Sequence, residues 1–198
     1  LNLFTSKSYN VERFYSRAFE DKIAEVTAAQ QFDFILLEGV YLMRYIDVIR
    51  KNTKAKVILR PHNVEYVIWQ RLYENETNPV KKAYLKLLAA RMKKFELDNI
   101  GKADLLAPVS ETDMTIFKAE GCHTPYRTFP IGYDFAVLPA FENKEENAVS
   151  FIGAMDWMPN REGVEWFINK VWPLVLQQKP AAKFYLAGRN FPAEIMNM

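Results

Sequence analysis

Lys56-Val57-Ile58-Leu59-Arg60-Pro61-His62-Asn63-Val64-Glu65 is the stretch that decides the fold. A short apolar run, Lys56–Leu59, gives way to a polar corner with a proline, and a helical pattern takes over at Glu65–Glu74. A run of this length reads as a buried strand. The same unit recurs on both sides. Further runs stand at Phe32–Leu37, Leu105–Val109, Tyr126–Phe129, Val149–Ile152 and Phe184–Ala187. Helical patterns lie between them at Val11–Gln30, Tyr41–Lys51, Pro79–Ile100, Glu111–Glu120 and Asn160–Leu176. Pro79 suits a first helical position, Gly101 and Gly121 suit helix stops, and Ser110 suits an N-cap ahead of Glu111 and Asp113. Strands alternating with helices predict an α/β fold, a Rossmann-like parallel sheet with helices on both faces.

The rhythm breaks at Val137–Asn147, where Pro139 and the acids Glu142, Glu145 and Glu146 cluster. This predicts residues 1–137 as one unit, 138–147 as a linker and 148–198 as the start of a second unit. The second unit holds too few elements to bury a core alone, so it either packs on the first or continues beyond this chain. The chain opens on Leu1 and closes as a new helix begins, so both ends read as cut.

Composition excludes several classes. The chain is 49% hydrophobic and 25% charged, which is globular rather than disordered. A net charge of +2 makes no case for nucleic acid. Cys122 is the only cysteine, so no intrachain disulfide forms and a cytoplasmic, reducing setting fits. The sequence has no phosphate-binding loop with its Gly-Lys ending, no dinucleotide glycine fingerprint, no Asp-x-Asp, no zinc-type His or Cys pattern and no nucleophile-elbow serine.

Ligands of open parallel sheets bind beyond the carboxyl ends of the strands. The residues there are Glu38-Gly39, Arg60 to Glu65, Ser110-Glu111, Pro130 to Asp134, Gly153 to Trp157 and Gly188-Arg189-Asn190. His62 either bonds a sugar hydroxyl or phosphate, or is a surface histidine near a helix start. Glu38 could bind hydroxyls or act as a base, whereas Glu65 reads best as a first-turn acid complementing a helix dipole. Asp156 with Trp157 forms either a stacking site or a turn beside a core tryptophan. His123 reads as a loop residue. On Pro79–Ile100, an apolar stripe of Tyr84, Leu85, Leu88, Met92 and Phe95 is opposed by Lys82, Lys86 and Lys93. Those lysines form a solvated face or a contact for anionic lipid headgroups. Glu96 and Asp98 are the acids set against the basic residues of this helix.

Taken in order, these segments resemble glycosyltransferase family 4, the group-1 sugar transferases of GT-B fold. Arg60-Pro61-His62-Asn63-Val64-Glu65, Pro108-Val109-Ser110-Glu111 and Pro130-Ile131-Gly132-Tyr133-Asp134 carry the first part of the likeness. Phe151 to Asn160, Gly163 to Phe167 and Leu186-Ala187-Gly188-Arg189 carry the second. The resemblance implies a partial GT-B enzyme: the later part of an acceptor-side domain, then the opening of a nucleotide-sugar-binding domain, with a cleft between them. It places His62 near the transferred sugar as the catalytic candidate. Donor or substrate binding would fall to Glu38, Asn63, Gly153, Asp156, Trp157, Asn160, Arg161, Gly188 and Arg189. It also implies metal-independent transfer without a cofactor, from a nucleotide-diphosphate sugar to a glycan or lipid-linked acceptor, as in polysaccharide biosynthesis. The setting would be cytoplasmic, with possible peripheral contact on the inner face of a membrane and no nucleic-acid partner. Met155 and Glu162 stand near the places where many members carry arginine and lysine. The family's Glu, seven residues, Glu segment and its first glycine-rich loop fall outside the chain, which predicts that this fragment is inactive alone. The alternative is a non-enzymatic α/β interaction or regulatory module, because fold does not fix function.

Overall fold

The computed structural model describes residues 7–134, 136 and 145–196, and it is a mixed α/β structure with short parallel sheets. It divides into two compact units between Tyr133 and Asp134. Residues 138–144 of the expected linker lie outside the described residues.

In the first unit, β1 (Phe34–Glu38) pairs in parallel with β2 (Lys56–Arg60), in register from Phe34 opposite Lys56 to Glu38 opposite Arg60. β2 pairs in parallel with β3 (Leu105–Leu106), giving the order β1-β2-β3. β3 is shorter than the apolar run Leu105–Val109, because Pro108 has no N–H to give the ladder. Tyr126–Phe129 forms only a parallel bridge from Tyr126 to Leu106. It still runs alongside, since Arg127 N–H donates to the Leu106 carbonyl at 2.9 Å and Phe129 N–H to that of Pro108 at 2.8 Å.

The helices follow their local signals. The expected helix Val11–Gln30 is two, α1 (Tyr9–Glu12) and α2 (Arg17–Ala29). Ser16 breaks them apart by accepting the Phe19 N–H on its hydroxyl. Tyr45 bridges the break, its hydroxyl accepting from Ser16 N–H at 2.8 Å and donating to the Phe14 carbonyl at 3.2 Å. After β1 comes a 3₁₀ segment, Val40–Tyr45, which runs into α3 (Ile46–Asn52). α4 (Glu65–Asn75) and α5 (Pro79–Ile100) form a helical hairpin. Asn78 caps α5, its side chain accepting the Val80 and Lys81 N–H groups at 3.0 Å each. α6 (Glu111–Ala119) starts on the Ser110 cap and stops at Gly121, whose φ is +85°. Gly101 ends α5 without leaving the right-handed region.

Val57, Leu59 and Leu106 are fully buried, with Leu37, Met92, Met114 and Phe117 packed around them. The opposite side of β1 is bare: Phe34 is 64% exposed and Leu36 51%. The expected helical cover on both faces is therefore incomplete at β1. Beside β1, which pairs with β2 alone among the described residues, runs an apolar groove of about 420 Å³, bordered by Phe19, Ile23 and Val26 of α2 and by Ile35 and Leu42.

In the second unit, β4 (Ala148–Ile152) pairs in parallel with β5 (Lys183–Ala187). The helical run between them is α7 (Met158–Trp166), a π-helical turn at Phe167–Val171, and α8 (Trp172–Gln178). Pro173 lacks the N–H that would continue one ladder, so the chain shifts its hydrogen-bond step just before it. α9 (Ala193–Met196) closes over a small core of Met155, Val164 and Ile195. Among the described residues, no helix is long and apolar enough to cross a membrane.

Candidate functional site

The parallel register brings the carboxyl ends of β1 and β2 together, and three side chains meet there. His62 Nε2 lies 2.8 Å from Glu38 Oε2, so that ring nitrogen carries the proton and donates to the carboxylate. Arg60, opposite Glu38 in the ladder, approaches the same oxygen at 3.4 Å. The His62 hydrogen bond holds the Glu38 carboxyl below its usual range, and the Arg60 guanidinium adds to this. Glu38 and His62 are each about half exposed, so the pair is open to a ligand. Gly39 lets the chain leave β1 at φ +99°, with its N–H on the Arg60 carbonyl at 2.9 Å. Asn63 is exposed beside His62. Next to this cluster, the Tyr41 hydroxyl donates to Glu65 at 2.7 Å. Burial and the Glu65 carboxylate push the Tyr41 phenol well up.

The second unit has its own cluster at the ends of β4 and β5. Gly153 N–H donates to the Ala187 carbonyl at 2.9 Å and Met155 N–H to that of Arg189 at 3.0 Å, so the two loops remain laced together past the strands. Gly188 has φ +148°, and a Cβ on it would lie 1.9 Å from the Gly153 carbonyl oxygen. A Cβ on Gly153 would meet the Phe151 ring at 2.7 Å and Asn160 Nδ2 at 2.9 Å. Both glycines are thus required by the packing of the loops themselves. Asn160 ties α7 to the loop by donating to the Ala154 carbonyl at 3.0 Å. Asp156 accepts from Asn190 Nδ2 at 3.0 Å and faces Arg189 at 3.7 Å. Trp157 is 54% exposed at the start of α7, which has no side-chain cap. Arg161 donates to Glu165 on its own helix at 2.7 Å.

No family model matches the chain, and no solved structure matches it. One curated relative is described as an uncharacterized 44.6 kDa protein in the cps region of Klebsiella pneumoniae. It is 27% identical over 169 residues, which is 84% of this chain and 42% of the relative. The matched segment is thus well under half of that protein.

Two groups of sequence candidates come together: Glu38 with His62, and Gly153, Asp156, Asn160, Gly188 and Arg189. Arg161 is turned along its helix. Of the lysines on α5, Lys93 pairs with Glu120 at 2.7 Å and Lys82 reaches the Glu74 carbonyl at 3.1 Å, while Lys86 is exposed. The sequence reading passed over Arg60, Asn190 and Glu96 as individual residues. Arg60 had a signal, since it ends a strand beside the histidine corner. Asn190 had one too, as a strand-end residue able to take positive φ, which is 58° here. Among the described residues, no three His, Cys, Asp or Glu side chains converge as a metal site would need.

Proposed function

We propose that this chain is part of a sugar-transferring enzyme of polysaccharide biosynthesis, moving a sugar from a nucleotide-diphosphate donor to a glycan or lipid-linked acceptor without a metal. The observation that carries the reading is the open Glu38–His62 pair at the carboxyl ends of a parallel sheet. The relative's place in a cps region, a capsule polysaccharide locus, points the same way.

On this reading, His62 and Glu38 orient a sugar hydroxyl, with Glu38 kept ionised as an acceptor. The positive end of α7, where no side chain caps the Met158 N–H, stabilises charge on the leaving diphosphate together with Arg189. Trp157 offers an exposed ring for stacking. A basic surface for anionic lipid rests on Lys86 and Lys82, because Lys93 is engaged by Glu120.

The test is turnover of a panel of nucleotide sugars by the full-length protein and its His62→Ala variant, with folding checked by circular dichroism. The expected loss is about a hundredfold, the scale of a removed general acid or base. Unchanged turnover in the variant refutes the placement of His62. Transfer should persist in EDTA, and the 198-residue chain alone should show none. Specific capture of a protein partner without any nucleotide-sugar turnover would favour an interaction module instead.

A further inference from the structure

The first turn of every α-helix leaves N–H groups that need acceptors from elsewhere. α4 begins at Glu65, and its N-cap is Val64, which has no side-chain acceptor. The acceptor comes from the neighbouring helix. Glu96 of α5 is fully buried, with Oε1 3.1 Å from Glu65 N and Oε2 2.9 Å from Tyr66 N. Two donors on two carboxyl oxygens is an arrangement that only a carboxylate satisfies in full. A local Ser or Asp cap would fix the helix end to its own segment alone. Glu96 fixes it to α5, and so to the core that holds Leu88 and Met92. The same turn is tied at its sides, by Tyr41 to the Glu65 carboxylate and by the Tyr66 hydroxyl to Glu120 at 3.3 Å.

Upstream, Arg60 is held in the β-ladder and its carbonyl accepts Gly39 N–H. Residues 61–64 are strung between these two anchors, with His62 among them. Four residues leave little slack, so a shift of the α4 end passes directly to the ring.

We propose that Glu96 is the positioning residue of the His62 segment, holding the start of α4 so that the ring reaches Glu38. The effect on the ring follows from the geometry alone, while any effect on turnover rests on the function proposed above. Burial pushes the Glu96 carboxyl up to about 8, with the Glu65 and Asp113 carboxylates adding to this and the two N–H groups opposing it. Desolvation outweighs the two amides, so the carboxylate form of the clamp is complete only above about pH 8.

The test uses the full-length protein with carbon-13-labelled histidine, the His62 ring resonance being assigned with His62→Gln. Glu96→Gln keeps the volume but sets an amide N–H₂ against a backbone N–H. It should move the His62 resonance and lower kcat about tenfold, leaving the KM for nucleotide sugar unchanged. Glu65→Pro is the second variant, and it decides the matter if Glu96→Gln fails to fold. Proline is accepted at a first helical position, and Val64, at φ −84° and ψ 95°, already has the extended backbone that a residue before proline takes. It removes one N–H from the clamp and should move the same resonance, whereas Tyr41→Phe, the control for the lost Glu65 side chain, should not. Variants that lower the melting temperature but leave the His62 resonance in place would overturn the proposal. Absence of sugar transfer in the unaltered protein would remove the proposed function and leave the resonance test standing.

Discussion

β1 and β5 each end on a glycine with positive φ, Gly39 at +99° and Gly188 at +148°, and the two are needed for different reasons. Around Gly39 nothing lies within 4 Å of an added Cβ, so only its backbone angles demand glycine. Around Gly188 the Gly153 carbonyl fills the space a side chain would take. The first strand end is left open, and charged side chains project from it. The second is shut backbone against backbone. The helix starts contrast in the opposite sense. The α4 start is filled from within by Glu96, whereas that of α7 has no side-chain cap. The Glu96 carboxyl already occupies the positive end of α4, so on the proposed function an incoming anion would be received at α7. On the function proposed above, the comparison divides the work: hydroxyl-orienting side chains in the first unit, a phosphate-facing helix start in the second.

The sharpest way to break this comparison is a pair of alanines. Gly188→Ala should destabilise the second unit by about 3 kcal/mol or more, since backbone must move to admit the methyl. Gly39→Ala should cost only about 1 kcal/mol, from backbone strain alone. Hydrogen exchange read unit by unit checks both, and equal losses would undo the distinction drawn between the glycines. Next in size is Asp104, which accepts the Val57 N–H at 2.7 Å and pairs with Arg50 at 2.8 Å. Asp104→Ala should lower the stability of the first unit by about 2 kcal/mol in urea titration.

The same residue sets an acid limit. The Val57 amide, with Arg50 and Lys56, holds the Asp104 carboxyl down at about 2, from an ordinary 3.8. The unfolded chain therefore binds the proton first, and its contribution, full above about 4, is lost as pH falls through about 2. Melting of the first unit between those values should show this slope, and Asp104→Asn should flatten it. The smallest expected effect is at Arg161. Glu165→Gln releases a helix pair worth a few tenths of a kcal/mol, so the KM for nucleotide sugar should fall about twofold if the freed guanidinium turns to the diphosphate. No change in KM would leave that guanidinium out of the donor site.

Local signals carried much of the fold. Pro79 and Gly101 mark α5 to the residue, and the strand runs at Lys56 and Phe184 fall within one residue of β2 and β5. Where sequence reading failed, the cause was a contact distant along the chain. Ser16 splits a helix whose periodicity runs straight through it, and Tyr45 seals the break from 29 residues away. Glu96 entered only as one acid in the charge count of its helix. It lies four residues after Met92, on the buried stripe of α5, so its position already argued for an inward side chain. The Glu38–His62 pair was legible as two strand-end residues, but their meeting depends on the register of β1 against β2, which no short motif encodes.

Among the described residues β1 has a strand partner on one side only, and an edge left so beside the exposed Phe34 and Leu36 is adhesive towards any other extended chain. Preparations of these 198 residues alone should self-associate as concentration rises, and a lysine at position 34 should keep them dispersed.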